Sequence, residues 1–500
     1  MPVVLDGETL TIEQVQAVSF DNEAASLSAA AIEKMQASRA PVERLAASDT
    51  PIYGVNTGVG LLADIRIPRE ELDLLQLNVV RSHAAGVGKP LDRTVVRAMM
   101  LIRANVLAKG FSGIRPAVAE MICALLNRGV TPLIPEQGSV GASGDLAPLA
   151  HMALVLTGEG EAEFEGAILP GAEALRRAGL EPLTFHPKEG LSLINGTQAM
   201  LAVGCLELSA TEILADTADV VAALSLDALR GTPVAFDPRI HAARPHPGQT
   251  RSAARLRRFI EGSEIRQSHI ACRRVQDAYS LRCAPQVHGA VCDALAEARR
   301  VFTIELNSAT DNPLVFGEEI LSGGNFHGEP LAFQLDFLAV ALSALAGISE
   351  RRIDRLVNPA LNEDLPPFLA GHAGLESGLM MAQVTAAALV GENRVLAHPA
   401  STGSITTSGN KEDFVSMGMA SAIKLQRVVR NTRAVLAIEA LATARALDLL
   451  APLHTSPMLE QARERIRAVS PPLSADRALY RDIAALEDLI AAGALRFELD

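Results

Sequence analysis

The sequence contains no tryptophan and only three tyrosines in 500 residues, so aromatic rings can fill little of its interior. The core must be built from Ala, Leu, Val and Ile, which suits closely packed helices, and each tyrosine becomes informative. Cysteine is also scarce: Cys123, Cys205, Cys272, Cys283 and Cys292 are odd in number and lack CxxC or metal-ligand spacing. That pattern argues against a disulfide framework or a metal centre and predicts a reducing, cytoplasmic setting. Positive charge is outnumbered, 45 basic against 58 acidic residues for a net charge of −13. This excludes the concentrated basic surface that nucleic acid or an anionic membrane requires. The Arg255, Arg257 and Arg258 cluster reads as a solvated helix face. Residues 1–20 hold Asp6, Glu8 and Glu13 and no basic start before an apolar run, so no secretory signal is read. The longest uncharged apolar run, Phe337 to Ile348, falls short of the roughly 20 residues that span a bilayer.

What is present is a globular composition, 49% hydrophobic and 21% charged. The length exceeds one ordinary core, so two units are expected: 1–197, mixed but mainly helical, and 198–500, a bundle of long helices. Thr11 and Gln14 form a capping-box pattern that opens a first helix. Helices are predicted over Leu91–Leu107 and Pro116–Arg128, and a surface hairpin over Glu159–Leu169. After Asn195, apolar residues recur every three or four positions in Gln198–Leu229, Ala284–Asn307, Glu329–Leu356, Ser377–Ala397 and Asp413–Leu450. The class is all-α. Helices beyond 25 residues bury their stripes against one another or across a subunit boundary.

The stretch from Gly138 to His151 carries the chemistry. It is not a phosphate-binding loop, because no Gly-Lys-Ser/Thr follows, and it makes a poor dinucleotide fingerprint, since no apolar strand precedes it. It also lacks the Gly-x-Ser-x-Gly spacing of a hydrolase elbow. It does contain Ala142-Ser143-Gly144. A glycine after the serine has no Cβ to stop its nitrogen reaching the carbonyl carbon of the residue before the serine. Loss of one water closes a five-membered ring, and dehydration of Ser143 leaves an exocyclic methylidene. The product, 4-methylidene-imidazol-5-one, is an electrophile made from the chain itself, with no external cofactor and no metal.

The extended segment resembles the signature of the aromatic amino-acid ammonia-lyases. The resemblance runs through Tyr53–Gly58, Ser82–Gly86, Phe111–Arg115, Asn195–Gln198, Val275–Cys283, Asp311–Val315, Ser322–His327 and Asn410–Met417, in that order. It implies an all-α bundle of the aspartase and fumarase type, assembled as a homotetramer whose sites are shared between subunits. The small-molecule substrate it implies is an amino acid, losing ammonia without oxidation. Such a reaction pairs a poor leaving group with a weakly acidic β-proton, which calls for an electrophile and a base.

By the same resemblance Tyr53 is the base, while Asn195 and Tyr279 support the ring and the substrate. Arg282 can hold a carboxylate through two parallel hydrogen bonds. Gln276, Tyr279 and Arg282 recur at three-residue spacing and are expected on one helical face. Phe326 is expected against the substrate ring, with His83, Met380 and Glu412 setting substrate choice. His83-Ala84 and Glu412 match the histidine-acting members, whereas phenylalanine- and tyrosine-acting members generally carry Gln at the latter position. A carboxylate can accept a hydrogen bond from imidazole but would be stranded against phenyl. Without the motif, Glu412 would read as a helix N-terminal charge beside Asp413. Three residues depart from the family pattern: Ala278, Lys411 and Phe414. An apolar Phe414 near Glu412 could raise the pKa of that carboxyl group.

The reading is elimination of ammonia from L-histidine to give trans-urocanate. The alternatives are a lyase or 2,3-aminomutase acting on tyrosine, phenylalanine or a related aromatic amino acid, and, from another class, a silent helical scaffold.

Overall fold

The computed structural model describes residues 2–48, 50–270 and 275–498, so Cys272 lies outside the described residues. The chain divides into two compact units that alternate along the sequence. The first comprises Met1–Leu206, Arg299–Asp336 and Pro399–Ile423, and the second Glu207–Ala298, Phe337–His398 and Lys424–Asp500. Among the described residues helices dominate, and strands occur only as short pairs and one three-stranded sheet.

In the first unit, Val3–Leu5 pairs in parallel with Ala25–Leu27, flanking the Ile12–Phe20 helix. The capping box forms as expected: the Thr11 hydroxyl accepts from the Gln14 amide while the Gln14 side chain accepts from the Thr11 amide. The Arg93–Ala108 helix is the core element, buried continuously from Val95 to Ala108. That burial includes Arg97, whose guanidinium donates to the carbonyls of Val18 and Leu126. Pro116–Arg128 packs against this helix and ends at Gly129, whose φ of +76° closes the C-terminus. Leu146–Leu156 runs from the end of the Gly138–Asp145 loop and packs on Leu72–His83 and Glu189–Ile194. The hairpin is Glu161–Phe164 with Ala167–Pro170, extended by Thr131–Pro132 into three strands.

The long helices are Gln198–Ala228, Ala284–Leu306, Glu329–Val357, Met380–Leu396 and Gly418–Leu449. Two of them, Gln198–Ala228 and Glu329–Val357, are long and apolar enough to cross a bilayer by composition, which counting uncharged runs overlooked. Their apolar windows are 72% and 56% buried, as in core helices. The last helix begins at Gly418, five residues after the expected Asp413, because backbone groups of 412–417 are bonded elsewhere: the Met417 amide donates to the Val140 carbonyl.

Within the second unit, buried polar groups join four of these helices. Glu439 accepts from Ser225, Ser349 and the Nε and Nη2 groups of Arg352, with Arg352 Nη2 to Oε2 at 2.8 Å. Arg352 Nη1 also lies 3.4 Å from His288 Nε2, and His288 Nδ1 lies 2.9 Å from Asp219. The same Nη1 donates to the Ser280 carbonyl and so ties the network to the Tyr279–Arg282 turn. Arg352 and Glu439 are both fully buried, so removing one strands the other. Glu439→Ala is therefore expected to destabilise the fold by about 3–5 kcal/mol in denaturant unfolding.

Candidate active site

The Ala142-Ser143-Gly144 loop is held at each end by backbone contacts that only small residues permit. Gly141 sits at φ +68°, and a Cβ there would meet Ser416 Oγ at 2.2 Å. The Gly141 carbonyl accepts from Ser416 Oγ at 3.0 Å and from the Gly328 amide at 3.3 Å. At the other end Gly144, at φ +74°, bridges to Gly196, and the Asp145 amide donates to the Gly196 carbonyl at 2.6 Å. Asp145 is fully buried and accepts from Ser139 Oγ and the Met200 amide. Burial pushes its carboxyl up to about 6 despite those donors.

Ser143 is half-buried, and its hydroxyl donates to Glu412 Oε1 at 2.7 Å. The other oxygen of Glu412 accepts from Thr407 Oγ1 at 2.6 Å and Ser408 Oγ at 2.8 Å. Burial opposes ionisation of Glu412, but the Thr407, Ser143 and Ser408 hydroxyls and the nearby His83 outweigh it and hold the carboxyl below its usual value. The expectation that Phe414 would raise it fails. The Phe414 ring instead stacks on His327, with centroids 6.0 Å apart, and its carbonyl lies 3.3 Å from His327 Nε2. The alternative reading of Glu412 as a helix N-terminal charge fails as well, since the next helix after it begins only at Gly418.

His83 closes the Leu72–His83 helix, with Nδ1 2.7 Å from the Val79 carbonyl. A carbonyl can only accept, so Nδ1 carries the proton and Nε2 is left for a second partner. Tyr53 sits on a turn fastened by Asn56, whose side chain accepts from the Ile52 amide and donates to the Thr50 carbonyl. The Gly58 amide donates to the Ile65 carbonyl, which secures the base of that loop. Burial raises the Tyr53 phenol above its ordinary value, the Gly60 amide opposes this, and the charge of Glu412 adds to it. Tyr53, His83, Ser143 and Glu412 thus share one neighbourhood in the first unit. Asn195 adjoins the Gly196 end of the loop, and its buried Oδ1 has no hydrogen-bond partner. Phe326 is half-buried on the turn before Glu329.

Gln276, Tyr279, Arg282 and Met380 belong to the second unit. Tyr279 and Arg282 do meet, with the guanidinium carbon 4.6 Å from the ring centroid. Gln276 does not share their helical face: the helix runs only from Tyr279 to Arg282, and Ala278 before it is extended at ψ 157°. Met380 is the first residue of the Met380–Leu396 helix. Sequence reasoning missed Thr407, Ser408, Asp145 and His327: Thr407 and Ser408 bond Glu412 from just outside the Asn410–Met417 segment, whereas Asp145 and His327 lay inside segments already singled out but meet residues distant in the chain.

The residues fit the ring that Ala142-Ser143-Gly144 would form. A Cβ at Gly144 would fall 2.1 Å from the Gly196 carbonyl oxygen, so the position after the serine has to be glycine. Asn195 Oδ1 is an unused buried acceptor beside it.

A mainly helical chain holding a glycine-flanked Ala-Ser-Gly loop beside a half-buried carboxylate fits an aromatic amino-acid lyase, and residues 10–468 match the family model described as aromatic amino acid lyase. The chain belongs to that family. It is 61% identical to the histidine ammonia-lyase of Koribacter versatilis, with 98% of each chain covered. Among solved structures it resembles histidine ammonia-lyase from Trypanosoma cruzi, 44% identical at a TM-score of 0.92, covering 99% of this chain and 94% of that one. It resembles tyrosine aminomutase from Streptomyces globisporus equally well in backbone, 42% identical at a TM-score of 0.93, covering 99% and 98%.

Proposed function

We propose that this chain eliminates ammonia from L-histidine to give trans-urocanate, using a 4-methylidene-imidazol-5-one made from Ala142, Ser143 and Gly144. The observation that carries this is the Ser143–Glu412 hydrogen bond of 2.7 Å, which puts an ionised carboxylate beside the ring-forming serine. The identity to histidine ammonia-lyases over nearly the whole chain supports it. Once formed, the ring supplies an electrophilic methylidene carbon that improves the amine as a leaving group.

The chain's own residues bind and move protons around that centre. Glu412 accepts a hydrogen bond from the substrate imidazole or ammonium in place of the serine hydroxyl, while Thr407 and Ser408 keep its second oxygen fixed. His83 offers Nε2 as a further polar partner. Tyr53 takes the β-proton onto its phenolate oxygen. Arg282, stacked on Tyr279, grips the substrate carboxylate, and Gln276 and Met380 line the same pocket. Asn195 supports the ring, and Phe326 packs against the substrate's side chain.

A phenyl ring would strand Glu412 and His83 without partners, and sites with unpaired buried polar groups discriminate strongly. Histidine is expected to exceed phenylalanine and tyrosine in kcat/KM by at least about a hundredfold. Glu412→Gln is expected to lower histidine activity sharply while costing the other substrates little. An amino-acid panel with chromatographic identification of products tests both, and a better rate with phenylalanine or tyrosine rejects the histidine assignment.

The active species is a homotetramer whose sites combine residues of different chains. Met381, Val384 and Val395 supply supporting surface: they expose apolar side chains along one face of the Met380–Leu396 helix. Inactive Tyr53→Phe and Arg282→Lys chains should therefore regain activity when assembled together, and sedimentation of an active monomer would overturn this. The likeness to tyrosine aminomutase keeps one second reading in play, return of ammonia to the β-carbon. A β-amino acid among the products would identify it.

A further inference from the structure

The loop that forms the ring is backed by a stack of groups to which no role has been given. A Cβ at Gly144 would lie 2.1 Å from the Gly196 carbonyl oxygen and 2.7 Å from Gly196 Cα. A Cβ at Gly196 would in turn lie 2.5 Å from Gln198 Oε1 and 2.7 Å from Arg103 Nη1. Backbone, backbone and guanidinium therefore follow one another with no side chain between them. Arg103 projects from the continuously buried Arg93–Ala108 helix, so this backstop has no room to recede. Its Nη1 donates to the Asn195 carbonyl and to Gln198 Oε1, both at 2.8 Å. Gln198 is itself fixed by donating to Thr310 Oγ1 at 2.7 Å. Arg103 Nε and Nη2 are buried without hydrogen-bond partners. A buried cation with two unpartnered donor nitrogens costs stability that an apolar side chain would not, and burial depresses its pKa to about 10.

We propose that Arg103 is a positioning residue for ring closure, pinning Asn195–Gly196 against Gly144 so that the Gly144 nitrogen faces the Ala142 carbonyl carbon. This rests on the ring assignment made above. In the step concerned, the Gly144 N to Ala142 C bond forms and the Ala142 oxygen departs as water. It carries the amide protons of Gly144 and Ser143 and leaves a C=N bond at the Ser143 nitrogen. The second water comes from the Cα–H and hydroxyl of Ser143. No oxidant or reductant is needed.

The test is a time course of intact mass on full-length chain made by cell-free synthesis, for wild type, Arg103→Lys and Arg103→Met. Unfolding temperature is measured in parallel. Wild type is expected to lose two waters, about 36 Da. Arg103→Met is expected to remain folded and lose them roughly a hundredfold more slowly, the scale on which a misplacement of about 1 Å penalises an intramolecular reaction. Arg103→Lys keeps the charge but cannot fork to both acceptors, and is expected to be slowed about tenfold. A residue that served only stability would shift the unfolding temperature and leave the maturation rate of folded chain unchanged. Folded Arg103→Met maturing at the wild-type rate overturns the proposal, and if that variant fails to fold, Arg103→Lys at the wild-type rate does so. Wild-type chain that stays at its unmodified mass overturns the ring assignment, and this proposal with it.

Discussion

Ser143→Ala is expected to remain folded and to lose turnover by at least about 10⁴-fold, the scale seen when a covalent group is deleted. Ser143 is half-buried and its side chain makes one hydrogen bond, to Glu412. Losing that bond costs about 1 kcal/mol, and Glu412 keeps the Thr407 and Ser408 hydroxyls as partners. Without the hydroxyl no methylidene carbon can form, whatever the backbone does. Intact mass and thermal unfolding, read beside product formation, separate this chemical loss from a folding defect. Appreciable turnover by a folded Ser143→Ala chain would remove the serine from the mechanism.

Tyr53→Phe should lower kcat by about 10²–10⁴-fold, the usual contribution of a positioned base, with a much smaller change in substrate binding. The pH dependence follows from the direction of the shift. The phenolate is the active form, and burial together with the charge of Glu412 raises the phenol above its ordinary value of 10.0. At neutral pH only a small fraction is ionised, and that fraction grows as protons are withdrawn. Wild-type kcat/KM should therefore climb from neutral into mildly alkaline pH, and the climb should vanish in Tyr53→Phe. A flat wild-type profile, or an unaltered one in the variant, would assign the proton transfer to another group.

The site residues show where the two kinds of information part. Ser143 could be singled out from its place between Ala142 and Gly144, and Tyr53 and Glu412 because the segments that carry them resemble the family's. The bond between Ser143 and Glu412 joins positions 269 apart, and no local pattern encodes it. The same holds for Phe414. Next to Glu412 in sequence it looked able to disturb the carboxyl, but its ring turns to His327, 87 positions away, and the hydroxyls prevail. The helical face expected to join Gln276 to Tyr279 and Arg282 fails for a local reason: helical spacing was extended across Ala278, whose backbone is not helical.

By itself the sequence determined the helical class, the capping box at Thr11, the hairpin after Glu159, most long-helix boundaries and the tripeptide able to cyclise. Each of these depends on neighbours within a few residues: apolar period, cap chemistry, and the missing Cβ of a glycine. Only the tertiary structure decided the alternation of the two units, the ionised state of Glu412, the raised phenol of Tyr53 and the buried Arg103 behind Gly196. Those depend on burial and on which distant groups face each other, because desolvation and hydrogen bonding set a charge's stability and neither is a property of adjacent residues.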